Sequence, residues 1–163
     1  MQGRGHTIVA LVEDRPGVLN RISSLFRRRG YNISSLAVGR SEQPNLSRMT
    51  FVVEGDEETV EQVTKQLNKL IDVLKVSELE DDDTVAREMA LIKVNASAAN
   101  RSEIIQLVDI FRANIVDVSP HSVIIETTGE EVKINALYNL LRPFGVRELM
   151  RTGRIAMSRG PAG

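Results

Sequence analysis

Thr7-Ile8-Val9-Ala10-Leu11-Val12-Glu13-Asp14-Arg15-Pro16-Gly17-Val18-Leu19 carries the punctuation on which the fold depends. Thr7 to Val12 is a short, branched and mostly apolar run, which predicts a buried strand. Pro16 suits a first helical turn, because its missing N–H would have had no partner there. Gly17 brings no side chain to the place where the free N–H groups of that turn point outward. Unpaired donors and the helix dipole both favour a carboxylate at such an end. Two readings stand side by side: a place for a small anion, or a strand-to-helix turn that binds nothing. For an isolated Pro-Gly the empty turn is the commoner meaning.

Downstream, Val18, Leu19, Ile22, Leu25 and Phe26 recur at helical spacing and make one apolar stripe. Arg27-Arg28-Arg29 closes that helix, where cations suit the dipole, and Gly30 is a C-terminal cap. At this net charge the arginine run reads as a solvated helix end rather than a phosphate patch. Asn32 to Val38 predicts a second strand, and Ser41-Glu42-Gln43-Pro44-Asn45 a loop. Arg48 to Val53 alternates, with Met49, Phe51 and Val53 on one face of a third strand. Gly55-Asp56-Glu57-Glu58 opens a second helix whose apolar face is Val60, Val63, Leu67 and Leu70. Val73 to Leu79 is a fourth strand. The order βαββαβ is the split βαβ of ferredoxin-like domains.

The second half repeats the first. Met89 to Val94 matches the opening strand, and Ile104, Ile105, Val108 and Phe111 the first helix stripe. Phe111 to Ile115 is a shortened echo of Phe26 to Ile33. Val123 to Thr127 is a strand, and Gly129-Glu130-Glu131 echoes Gly55 to Glu58. Val132, Leu137 and Leu140 lie on the next helix, and Val146 to Leu149 matches Val76 to Leu79. Asn95 to Ser102 holds no Asp-Arg-Pro-Gly, so the anion turn is expected in the first copy alone. The fold class expected is α+β: two ferredoxin-like βαββαβ domains in tandem, over 1–80 and 87–163. The acidic run from Glu80 reads as a solvated linker over 81–86 rather than a cation site. A short mobile tail is expected from Ser158 onward.

Composition narrows the function classes. The 163 residues carry a net charge of −1, which gives no general attraction for nucleic acid or acidic membranes. Aromatic content of 4% without tryptophan leaves few platforms on which bases could stack. The absence of cysteine excludes disulfides, thiolate metal sites and cysteine nucleophiles. His6 and His121 lie far apart and no metal-ligand spacing occurs, so no catalytic and no metal residue is expected. The paired acids Glu57-Glu58 and Glu130-Glu131 both open helices, where they complement the dipole. From Met1-Gln2-Gly3-Arg4 the chain enters an apolar stretch too short for a signal peptide or membrane span, so a cytoplasmic protein is expected.

Binding is better served than catalysis. A free amino acid at the turn would set its carboxylate on the N–H groups around Gly17 and Val18. Its ammonium would meet Asp14 or the side-chain carbonyl of Asn32, and Leu19 and Ile33 suit an aliphatic side chain. From the local sequence alone, Asn32 reads more readily as a turn residue leaving the helix cap.

The same residues carry a resemblance. A strand followed by Asp14-Arg15-Pro16-Gly17-Val18-Leu19 and a helix ending in Arg29-Gly30-Tyr31-Asn32-Ile33 resembles an ACT domain. More narrowly, Phe26 to Leu36, Leu46 to Thr50, Gln66 to Val73, Val76 to Leu79, Arg87-Glu88, Ile115 to Val118 and Ser158-Arg159-Gly160 resemble the regulatory small subunit of acetohydroxyacid synthase, also called acetolactate synthase. The likeness spans nearly the whole chain in order. It implies a non-catalytic subunit, a homodimer through its ACT domains, that binds and activates a large catalytic subunit. Thiamine diphosphate, Mg2+ and FAD would belong to that large subunit, and this chain would hold no cofactor. A branched-chain amino acid, usually valine, would inhibit the complex in valine, leucine and isoleucine biosynthesis. The effector residues implied are Asp14, Pro16, Gly17, Val18 and Leu19 of one protomer, with Asn32 and Ile33 of its partner. Asp14 stands where bacterial members often carry Asn, a change that bears on effector preference. The competing expectation is a stand-alone ACT-type amino-acid sensor acting on another partner.

Overall fold

A computed structural model describes residues 5–161. The Met1-Gln2-Gly3-Arg4 start and the last two residues of the expected tail lie outside them. The elements run β1 (Gly5–Glu13), α1 (Val18–Arg29), β2 (Asn32–Arg40), β3 (Leu46–Glu54), α2 (Glu57–Asn68) and β4 (Val73–Leu79). After a short 3-10 turn at Asp81–Asp83 follow β5 (Thr84–Asn95), α3 (Arg101–Ile110), β6 (Asn114–Val118), β7 (Ser122–Gly129), α4 (Glu131–Leu141), β8 (Val146–Arg151) and β9 (Ile155–Ser158). The chain is thus α+β, with two βαββαβ units in tandem and one added strand.

Each unit builds an antiparallel sheet, ordered β2-β3-β1-β4 in the first and β6-β7-β5-β8 in the second. The two orders are the same, which is the tertiary form of the sequence repeat. Contacts divide the chain into one unit that runs to Val85 and takes in the segment from Arg154, and a second, Ala86–Gly153. β9 pairs with β5, whose first residues Thr84 and Val85 belong to the first unit. The N–H of Arg159 donates to the carbonyl of Asp83 at 2.6 Å.

In the first unit Ile8, Ala10 and Val12 alternate inward and pack with Ile22, Leu25, Phe26, Met49, Phe51, Val60, Val63 and Leu67. Period-two burial on the strands meets period-3.6 burial on the helices, and one core fills between sheet and helices. Phe51 sits edge-on to Phe26 with ring centroids 5.1 Å apart. The second unit repeats this with Ile92, Val94, Ile104, Val108, Ile125, Ile134 and Leu137.

The helix ends show how the repeat diverged. After α1, Gly30 adopts φ 68° and the Tyr31 N–H reaches back to Phe26 O at 3.1 Å. After α3, Arg112 adopts φ 54° and the Ala113 N–H reaches back to Val108 O at 2.9 Å. Both are Schellman closures, and only the first uses the residue that takes a left-handed conformation without cost.

The C-terminal segment lies against the opposite face of the first sheet. Arg154 donates its backbone N–H to Ser35 Oγ at 2.8 Å and its guanidinium Nη1 to Thr7 Oγ1 at 3.0 Å. Thr7, Thr50 and Val52 on that face are buried. Among the described residues no helix is long and apolar enough to cross a membrane.

Candidate functional site

The expected turn lies at the end of β1, but Pro16 is not in the helix. α1 begins at Val18, and Gly17 is its N-cap with φ 88° and ψ −11°. Those angles belong to the third position of a type II turn, Arg15-Pro16-Gly17-Val18, in which proline suits the second position and glycine the third. The Val18 N–H, expected among the free donors, turns back to Arg15 O at 3.4 Å. The N–H groups of Leu19 and Asn20 form no hydrogen bond with any described residue.

Helix α1 differs from the other helices at this end. α2 is capped by Asp56, whose carboxylate accepts from the Thr59 N–H at 2.8 Å. That bond and one from the Thr59 hydroxyl hold the Asp56 carboxyl below its usual range. α2, α3 and α4 each carry an acid in the first turn, whereas α1 has neither an acid there nor a side-chain cap. Its dipole end is left for something outside the chain to satisfy.

Around the turn lie charged side chains in opposed pairs. Asp14 is exposed at 3.6 Å from Arg40 Nε. Arg15 Nη2 bridges Glu13 at 2.5 Å and Asp72 at 2.8 Å, and Arg21 Nε donates to the other Asp72 oxygen at 2.6 Å. The Arg21 hydrogen bond, with that of Arg15, holds the Asp72 carboxyl below the usual carboxylate range against the opposing effect of burial. Asp72 also accepts the Glu13 N–H on its carbonyl at 2.9 Å, and Asn45 O accepts the Asp14 N–H at 2.8 Å. Sequence reading passes over Asp72, Arg21 and Arg15. The available signal is a lone acid in Leu70-Ile71-Asp72-Val73, just before a strand.

Val18 is buried in the core, while Leu19 is 48% exposed beside the open donors. Asn32 and Ile33 are not brought to this place within one chain. Asn32 pairs with Glu54, and Glu54 with Gly5, at the end of the sheet where β1 begins. Glu13 pairs with Leu46, and Arg40 with Ser47, at the other end. Asn32 is exposed, and Ile33 leans on the core from the edge strand. That edge shows Leu36 40% and Val38 51% exposed.

In the second unit, the segment matching the turn is closed on itself. Asn100 Oδ1 accepts the Ser97 N–H at 2.7 Å, and Ser97 O accepts the N–H groups of Asn100 and Arg101 at 3.3 and 3.0 Å. These bonds close the loop before α3 on itself, and α3 carries Glu103 in its first turn.

Residues 8–75 match the family model described as the AHAS small subunit-like ACT domain, and residues 87–160 match the small subunit of acetolactate synthase. The acetolactate synthase small subunit of Mycobacterium bovis is 53% identical over 163 residues, covering 100% of this chain and 97% of that protein. The one from Mycolicibacterium smegmatis is 56% identical over 158 residues, covering 97% of this chain and 93% of that protein. A crystal structure of the acetolactate synthase small subunit from Thermotoga maritima superposes with a TM-score of 0.91 at 47% identity, over 98% of this chain and 99% of that one. With an ACT domain in its first unit and this likeness along its whole length, the chain belongs to the family of acetolactate synthase small subunits.

Proposed function

We propose that this chain is the regulatory subunit of acetolactate synthase, cytoplasmic and non-catalytic. It activates a large catalytic subunit and makes it sensitive to feedback inhibition by a branched-chain amino acid, valine first among them. The reaction and its thiamine diphosphate, Mg2+ and FAD belong to the large subunit. The effector site is formed between the ACT domains of a homodimer. Asp14, Pro16, Gly17, Val18 and Leu19 come from one protomer, and Asn32 and Ile33 from the other.

The observation that carries this reading is the uncapped start of α1, together with the position of β2. Two N–H donors lie open beside an exposed leucine, a pairing that suits a carboxylate next to an aliphatic side chain. β2 is an edge strand with apolar side chains in solvent, a surface that pairing with a second copy would cover. An antiparallel β2–β2 pairing centred on Leu36 sets Asn32 of one protomer opposite Arg40 of the other, and Arg40 already touches Asp14. Effector binding between protomers then shifts the assembly between states, with a coupling on the order of 1–3 kcal/mol.

The test is to add the chain to its catalytic subunit and measure the rate with and without valine, with calorimetry of valine, leucine and isoleucine binding alongside. A rise in rate on addition, reversed by valine, is the expected result. No change in rate would remove the regulatory reading, and no binding of any of the three would remove the effector.

A further inference from the structure

We infer that Asp72 is a positioning residue for the effector turn: its carboxylate, acting through Arg21 and Arg15, holds residues 14–19 in the shape that leaves the Leu19 and Asn20 N–H groups open. The inference rests on the reading of that turn as the effector site. Asp72 lies between α2 and β4, more than fifty positions from the turn, and is 2% exposed. From there it grips the turn at three points. Its carbonyl takes the Glu13 N–H at 2.9 Å, one carboxylate oxygen takes Arg15 Nη2 at 2.8 Å, and the other takes Arg21 Nε at 2.6 Å. Arg15 is the first residue of the type II turn, and Arg21 closes the first helical bond onto Gly17 O at 3.0 Å. The turn's own hydrogen bond, Val18 N–H to Arg15 O, is long at 3.4 Å. Charge-assisted bonds are shorter and stronger than neutral ones, so orientation at this corner comes mainly from Asp72.

Asp72 does not stand at the open donors, so its effect on binding runs through the two arginines. A buried carboxylate left with one partner would pull the remaining arginine toward itself or admit water, and either moves the turn. Arg21 Nη1 and Nη2 make no hydrogen bond with any described residue, and Nη1 would stand 3.0 Å from a Cβ on Gly17. A shift of that guanidinium is therefore felt at the N-cap itself.

The experiment measures valine affinity by calorimetry on the full chain for wild type, Asp72→Asn, Asp72→Glu, Arg21→Gln and the Asp72→Asn/Arg21→Gln double variant. Amide exchange over residues 13–20 is followed in each. Asp72→Asn and Arg21→Gln are each expected to weaken valine at least tenfold, and the double variant no more than either alone. Asp72→Glu should recover part of the affinity. Exchange over 13–20 should quicken in Asp72→Asn while Ile8 and Phe51 stay protected. Wild-type affinity in Asp72→Asn overturns the inference, as do losses that simply add in the double variant. Should Asp72→Asn fail to fold, Arg21→Gln, altered at a half-exposed side chain, decides by the same two readouts. If the wild type binds none of the branched-chain amino acids, the effector reading fails. The exchange data then decide the clamp alone: faster exchange over 13–20 supports it, and unchanged exchange overturns it.

Discussion

Asp14 and Asn32 stand at opposite ends of the first sheet. Asp14 follows the β1 end that pairs with Leu46, and Asn32 pairs with Glu54 beside Gly5. Eight residue steps at about 3.4 Å each set the two sheet ends roughly 27 Å apart. One chain therefore cannot close a small ligand between them, whereas two chains running in opposite directions along β2 can.

Charges on that edge are expected to separate the protomers. In an isologous pairing centred on Leu36, Leu36→Glu faces its own copy and brings like charges together, and Val38→Glu buries an unpaired carboxylate in the same seam. Sedimentation equilibrium should show monomer at concentrations where wild type is dimeric, and valine affinity should drop at least tenfold with it. A dimer of unchanged strength in both variants would move the interface off β2.

Gly17→Ala and Gly17→Asp test the turn in two separable ways. A side chain at φ 88° costs about 1–2 kcal/mol, and its Cβ would press on Arg21 Nη1 at 3.0 Å. Thermal unfolding of both variants should move down by about 2–4 °C for each kcal/mol lost. Gly17→Asp also sets a carboxylate beside the open donors, so it should lose far more valine affinity than Gly17→Ala. Equal affinities in the two would put the effector carboxylate elsewhere.

Phe51→Ala probes what holds the first unit together. The ring is fully buried at the centre of the sheet and packs edge-on against Phe26. Its loss should cost about 3–5 kcal/mol, read from urea unfolding midpoints. A cost under about 1 kcal/mol would mean that the surrounding side chains collapse into the space.

Acid should act through Asp72. Arg21 holds its carboxyl below the ordinary range, so in the folded chain it gives up its proton more readily than in the unfolded chain, where the value is about 3.9. The unfolded state therefore binds the proton first as pH falls. The stability contributed by this group is complete above the unfolded value and disappears as pH drops through the folded one. Asp72→Asn cannot titrate, so the gap in urea midpoint between wild type and this variant should narrow from about pH 6 to about pH 3. A gap that stays constant would show that the pair contributes nothing through charge. Asp56 and Glu42 are depressed in the same direction, which is why the comparison is made against the Asn variant.

Much of the architecture was legible along the chain because it is local. Met49, Phe51 and Val53 alternate since one face of β3 meets the helices, and Val60, Val63 and Leu67 recur at helical spacing for the same core. The doubled order of elements is a property of the sequence, as is the absence of an Asp-Arg-Pro-Gly turn from the second copy. Pro16-Gly17 announced a turn by chemistry alone, since proline sets one φ and glycine permits a positive one. The type II geometry, with α1 starting only at Val18, needed the fold to choose between neighbouring ways of using those two residues.

What tertiary structure decided is everything that joins distant positions. A lone Asp72 between apolar neighbours hints at burial but not at its partners, two arginines more than fifty residues away that make that burial tolerable. β9 is four residues long and half of it is large exposed side chains, so no period marks it as a strand. Its place follows from Arg154, which reaches Thr7 and Ser35 from the far end of the chain. That β2 is an edge strand, with Asn32 at the far end of the sheet from Asp14, follows from strand order and register. Periodicity reports which face of an element is buried, whereas order and register are set by which elements meet. For that reason the turn could be read from the residues alone, while its separation from Asn32 and its attachment to Asp72 came only from the folded chain.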